Sequence, residues 1–344
     1  MKRAILAPAA FVLSALLTLP LAAQTLEVRG AATPLKLQKS GAAWQLDRGK
    51  GPAPLPVPES TRFSALRAAG AGFVAAGIDQ SPRGSALVVV AGAADGKTFE
   101  VLPAPAVAAG EIAFLPSPLV GPGGLEALLW IEGKNHQSGA LKAALWSGGA
   151  FTSPGIISPV GPGTQTGLQT IRLHDGTWLA VWSAFDGQDD EILWSRGSIH
   201  GWSPAKSLSG NAVPDVTPTL KLTPIGAVAV WSFYDGNDYR LKSATLRDWT
   251  WSDGEVFGGK GANTPAFAET DSAILTFRQV VPESWQVAEL DELAKVRRQA
   301  NLPTTTRRPP AIVGVDNTAV TIEISMSDAA PTPVEIVVPW EGKF

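Results

Sequence analysis

Apolar and polar positions alternate in short runs along most of the chain, and the runs themselves repeat. The clearest copies are Leu179-Ala-Val-Trp182-Ser-Ala-Phe-Asp186-Gly-Gln-Asp189 and Val228-Ala-Val-Trp231-Ser-Phe-Tyr-Asp235-Gly-Asn-Asp238. Each carries an apolar segment into Trp-Ser, an aromatic residue, Asp-Gly and a second Asp, and Trp231 follows Trp182 by 49 residues. Ala127-Leu-Leu-Trp130 precedes the pair, Ala273-Ile-Leu-Thr-Phe277 follows it, and weaker copies run over Gly72 to Ile78 and Ala319 to Ser325. A period of this size, built on short apolar runs and Gly-rich turns, is that of a propeller blade. Six copies predict an all-β fold: a six-bladed β-propeller of four-stranded antiparallel blades.

In the best copy the four strands read as Thr217 to Leu222, Ala227 to Phe233, Tyr239 to Leu246 and Trp249 to Phe257. Each is rich in β-formers and bounded by Gly, Asp, Asn or Pro. The sixth unit is short of an outer strand, while Leu35 to Gln38 and Ala43 to Asp47 have no blade of their own. The pattern therefore predicts ring closure, with the N-terminal segment completing the last blade; a seventh, partial blade is the alternative count. Val287 to Ala300 has helical spacing at Leu290, Leu293 and Val296, so it reads either as a helical insertion or as two strands of blade 5. Pro303 to Pro310, with Arg307 and Arg308, reads as a loop.

Lys2 and Arg3 precede an apolar run from Ala4 to Leu21 that ends in Ala-Ala23-Gln24, the form of a Sec signal peptide over 1–23. A single propeller domain over 24–344, periplasmic or secreted, is then expected. No later stretch has the ~18 apolar residues of a membrane-spanning helix. The chain has no cysteine, so its core must hold it without disulfides. A net charge of −3 carries no nucleic-acid signature, and a monomer is expected.

Three groups of residues are candidates for chemistry. The tryptophans that recur once per blade (Trp130, Trp182, Trp231) suit inter-blade packing; Trp178, Trp249, Trp285 and Trp340 break that register and are candidates for exposed contact. The turns after the second strands should gather Asp186, Asp189, Asp190, Asp235 and Asp238 near Asn211 and Asp215. Such oxygens suit Ca²⁺ or sugar hydroxyls, although Asp-Gly also simply makes turns. His136, His174 and His200 form no metal-binding or catalytic motif, and no cofactor is required.

The blades resemble those of the bacterial sialidase-like (BNR or Asp-box) propellers through Val181 to Gly187, Val230 to Gly236, Gly201-Trp-Ser203 and Thr250-Trp-Ser252. Ala94-Asp-Gly-Lys-Thr-Phe99 resembles a degraded Asp-box. For the family's three carboxylate-binding arginines the resemblance offers Arg62, Arg67 and Arg172, and for its tyrosine only Tyr234 and Tyr239. The expected function is a non-catalytic module that binds a glycan or an envelope or extracellular protein, or acts as a scaffold in a periplasmic assembly; the alternative is a sialidase-like or other glycoside hydrolase.

Overall fold

The structure is a computed structural model that describes residues 25–341 apart from 29–34, 48–50, 71, 82–83, 94–97, 160, 269–273, 281–283, 304–309 and 326–332. Residues 1–23, expected to be a signal peptide, residues 94–97 of the stretch resembling a degraded Asp-box, and most of the loop expected over Pro303 to Pro310 lie outside these.

Secondary structure is β throughout the described residues, without a helix. The repeat units form six antiparallel sheets, the blades of a six-bladed β-propeller. Blade 1 runs from Thr61 to Leu102, blade 2 from Ile112 to Ser158 and blade 3 from Gln165 to Ser207. Blade 4 runs from Asp215 to Phe257, blade 5 from Asn263 to Leu302 and blade 6 from Ala311 to Pro339. Within each blade the strands pair in chain order. From blade 1 to blade 5, the first strand of each lies against the first strand of the next, which makes these the innermost strands.

Stacking follows from the apolar second strands, which are buried on both faces. Trp182 packs on Leu129, Ile131 and Leu141 of blade 2, and Trp231 on Val181 and Ile192 of blade 3. Trp130 packs likewise on Val74, Ala76 and Val89 of blade 1. Each recurrent tryptophan therefore reaches back to the preceding blade, as expected for packing residues. Burying a large apolar side chain is worth roughly 1.5–3 kcal/mol, so this single repeated position holds much of each interface.

Two local devices recur. The innermost strands of blades 2 to 5 carry a β-bulge, with Leu115, Gly167, Thr217 and Thr264 at positive φ. In blades 2 to 4 the outer strand breaks at a hydroxyl residue after its aromatic. Thr152, Ser203 and Ser252 each donate a backbone N–H to the third strand and accept one through the side-chain oxygen. The single outer strand expected over Trp249 to Phe257 is consequently two pieces, Thr250–Trp251 and Glu255–Phe257.

The N-terminal strands differ from expectation. Thr25–Val28, Leu35–Ser40, Ala43–Asp47 and Pro52–Pro54 pair with one another, and among the described residues blade 6 has three strands. Gly41, at φ 59°, makes a tight turn that zips the middle two locally. Their apolar side chains Leu35, Leu37, Trp44 and Leu46 then meet Phe63, Phe73 and Val90 of adjacent blade 1. Short connections make this cheaper than reaching the far end of the chain. The segment adds a four-stranded sheet of its own beside the six blades, its first strand against the first strand of blade 1. Residues 287–300 resolve as strands: Ser284–Leu290 and Val296–Leu302 pair around a turn capped by Asp291. The helical spacing is overridden by pairing within the sheet.

Trp182 and Trp231 allow a clean comparison. The Trp231 indole N–H donates to Asp215 Oδ1, whereas the buried Trp182 Nε1 has no partner. Trp231→Phe leaves a buried carboxylate oxygen short of a donor, and Trp182→Phe does not. The former is expected to cost about 1–3 kcal/mol more in urea denaturation; equal midpoints would refute that role.

Candidate functional site

The turn after the second strand of blade 3 joins Trp178–Phe185 to Asp190–Ser198. Phe185 pairs with Asp190, leaving a four-residue loop in which Gly187 sits at φ 113°. Asp186 makes that loop: its Oδ1 accepts from the backbone of Gln188 at 2.7 Å and of Asp189 at 3.2 Å. Asp189 is 8% exposed, and its buried Oδ1 accepts no hydrogen bond. One carboxylate oxygen each from Asp186, Asp189 and Glu191 lie within 4.8 Å of one another. Burial above all, then the charges of Glu191 and Asp186, push the Asp189 carboxyl up. Burial also lifts Asp190, to about 6, with Asp189 and Asp186 adding to it.

Glu191 ties this turn to the connection with blade 4. It accepts from Ser209 Oγ and from the backbone of Gly210 at 2.6 Å and Asn211 at 2.8 Å. Asn211 Nδ2 in turn donates to Asp215 Oδ2 at 2.5 Å. Asp215 is fully buried, and burial raises its carboxyl to about 6 despite the hydrogen bonds from Asn211 and Trp231. The sequence reading passed over Glu191, although it lies directly beyond the acidic turn.

Blade 4 repeats the turn with different chemistry. Asp235 accepts from the backbone of Asn237 and Asp238, both at 2.9 Å, and its Oδ2 accepts from Arg240 Nε at 2.6 Å. Those donors hold Asp235 below the usual carboxylate range. Asp238 accepts from the backbone of Tyr239. The half-buried rings of Tyr234 and Tyr239, the chain's two tyrosines, lie 5.4 Å apart and tilted by 58°. Burial, the charge of Asp190 and the neighbouring Tyr234 raise the Tyr239 hydroxyl. The blade 3 and blade 4 turns thus act on one another across the blade boundary, at the same end of the propeller.

Other candidates are placed elsewhere. Trp178 is buried between blades 2 and 3, donating to Glu126 Oε2 at 2.7 Å, and is not an exposed platform. The same Glu126 receives Arg172 Nε at 3.0 Å from each oxygen. Arg172 pairs with Trp178 at the opposite end of blade 3 from the acidic turn, so it serves the interface there. Arg67 lies toward that opposite end of blade 1, whereas exposed Arg62 lies at the acidic-turn end beside Lys39, Glu59 and Gln80. The three arginines do not converge. Trp285 is also buried; Trp249 is half-buried and stacked on Trp194 with Arg196 over its face. Trp340 is half-buried with Arg298 over its ring. The histidines remain scattered: His174 meets Thr223 O and His136 packs edge-on to Phe114.

The buried Asp215 has a stability consequence. Its folded pKa of about 6 lies above the 3.8 usual for an aspartate, so its contribution is complete below about pH 4 and is lost as pH rises through 6. Glu132 has the opposite sign. Burial alone would raise it, but hydrogen bonds from Lys142, Trp130 and Ala108 hold it low, so its contribution is lost in acid. Thermal melts are therefore expected to peak near about pH 4–5 and to decline toward pH 7. Asp215→Asn should flatten that decline; an unchanged pH slope would exclude Asp215 as its source.

No protein-family model matches the chain, and no curated protein does. Solved structures share its fold. A prolyl endopeptidase structure covers 92% of this chain at 14% identity with a TM-score of 0.56, and the chain spans 48% of that protein, about half its length. The D477G ACO/RPE65 chimera aligns with 82% of this chain and 72% of its own, at 10% identity and a TM-score of 0.50. The six-bladed lectin of Aleuria aurantia, which recognises fucose, covers 80% of this chain and 88% of its own, at 14% identity and a TM-score of 0.45. At such identities the likeness is one of fold.

Proposed function

We propose that the chain is an exported, non-catalytic propeller that binds a glycan at the end of blades 3 and 4 carrying the acidic turns. One observation carries the reading: Tyr234 and Tyr239 flank each other, with Tyr239 in reach of the charge of Asp190 of blade 3. A pyranose offers an apolar C–H face to an aromatic ring and hydroxyl donors to carboxylates, so this pairing of ring and acid suits a sugar. Export rests on the N-terminal segment 1–23. The hydrolase alternative needs convergent arginines beside a carboxylate pair roughly 5–10 Å apart. Arg172, committed to Glu126 at the other end, argues against it.

A glycan array probed with the chain lacking 1–23 tests the reading. Binding of at least one glycan class is expected, and Tyr239→Ala should weaken it about tenfold, or roughly 1.4 kcal/mol. Glu126→Ala is expected to leave binding intact while lowering stability by about 1–3 kcal/mol, since it orphans Trp178 Nε1 and Arg172. A blank array, or Tyr239→Ala binding as the wild type does, would sink the proposal.

A further inference from the structure

The twin turns of blades 3 and 4 differ most at one position. Shifted by the 49-residue period, Asp186, Asp189, Asp190 and Glu191 correspond to Asp235, Asp238, Tyr239 and Arg240. In blade 4 the chain supplies its own cation, since Arg240 Nε meets Asp235 Oδ2 at 2.6 Å. In blade 3 that place is taken by a third carboxylate. Among the described residues no lysine or arginine forms an ion pair with Asp186, Asp189, Asp190 or Glu191.

We propose that the blade 3 turn binds a Ca²⁺-class cation through Asp186, Asp189 and Glu191. Two observations beyond the clustering of acids point there. The Asp189 carboxylate faces the other two, yet its buried Oδ1 is without a hydrogen bond in a side chain more than nine-tenths buried. Leaving such an oxygen unmatched is costly, and a cation would meet that need. The homologous turn, moreover, carries a cation of its own. Geometry agrees: Ca²⁺ holds oxygens at about 2.3–2.6 Å, so two ligands on opposite sides of one ion are roughly 4.6–5.2 Å apart. Three oxygens within 4.8 Å of one another fit that sphere. Asp186 has a second oxygen, Oδ2, to give while Oδ1 shapes the loop, and both oxygens of Glu191 are held in place by Ser209, Gly210 and Asn211. Outer-shell donors of this kind fix a ligand before the ion arrives.

The cation site stands without the glycan reading, and its test uses no glycan. Calorimetric titration of the chelator-treated chain with CaCl₂ is expected to show one site with a dissociation constant on the order of 10⁻⁴ M. Saturating Ca²⁺ should raise the thermal midpoint by about 2–4 °C. Asp189→Asn should abolish both responses and raise the metal-free midpoint, because it removes an unmatched buried charge. Asp186→Asn, which keeps the turn acceptor, should weaken binding at least about tenfold and serves if the first variant does not fold. Asp235→Asn in the twin turn should leave the titration unchanged. Mg²⁺, which demands a tighter octahedron, should bind at least about tenfold more weakly. No heat and no midpoint shift up to about 10 mM Ca²⁺ would overturn the site, that being well above the weakest extracellular modules. Full binding by Asp189→Asn would overturn it as well, and equal affinity for Mg²⁺ would overturn the assignment of the ion. A blank glycan array with the calcium response intact would remove the glycan reading and leave this one.

Discussion

Every blade of this protein is a sheet with two apolar faces and no second layer of its own. That constraint governs the rest. A second strand such as Trp178–Phe185 is buried almost along its whole length, so it is stable only when flanked on both sides. Stacking each sheet on its predecessor satisfies one face, and the next sheet satisfies the other. The recurrent tryptophans serve this arrangement because a wide, flat side chain covers the most neighbouring sheet per position. With no cysteine in the chain, this stacking and the polar contacts beside it, such as Arg172 and Trp178 on Glu126, join the blades without disulfides.

The blade repeat was legible because it is written in large residues at fixed intervals. Val181-Trp-Ser and Val230-Trp-Ser had to recur, since a core position tolerates few alternatives. The innermost bulges were hidden. Leu115, Gly167, Thr217 and Thr264 share a backbone conformation but no side-chain chemistry, and only the Pro after three of them hints at it. The N-terminal strands misled for a related reason: a missing strand at one end and surplus strands at the other suggest a bargain that local hairpin formation pre-empts. Trp178 was misplaced because register alone cannot tell an exposed aromatic from one whose N–H finds a carboxylate of the preceding blade.

At the acidic turns the outcome was mixed. Asp186 and Asp235 are first of all turn residues, each accepting two backbone N–H groups. The residues with unusual environments are their neighbours Asp189, Asp190, Glu191 and Asp215. Glu191 escaped notice because a strand-edge glutamate has no motif; its three donors come from a loop some 20 residues later. Function in a repeat fold tends to sit where one copy departs from the others. The substitution of Glu191 for the position of Arg240 is such a departure.

Among the described residues blade 6 has three strands, and its last, Pro333–Pro339, presents Val334 and Val337 to solvent. A strand in that position offers unpaired N–H and C=O groups to any extended chain that meets it, the usual route to edge-to-edge aggregation. Here the hazard is bounded by sequence. Proline stands at both ends of the strand, and exposed Glu335 adds charge between them. A visiting strand would find fewer than seven residues to pair with before the ladder lost its donors. The prolines thus limit the length of any ladder this strand could extend.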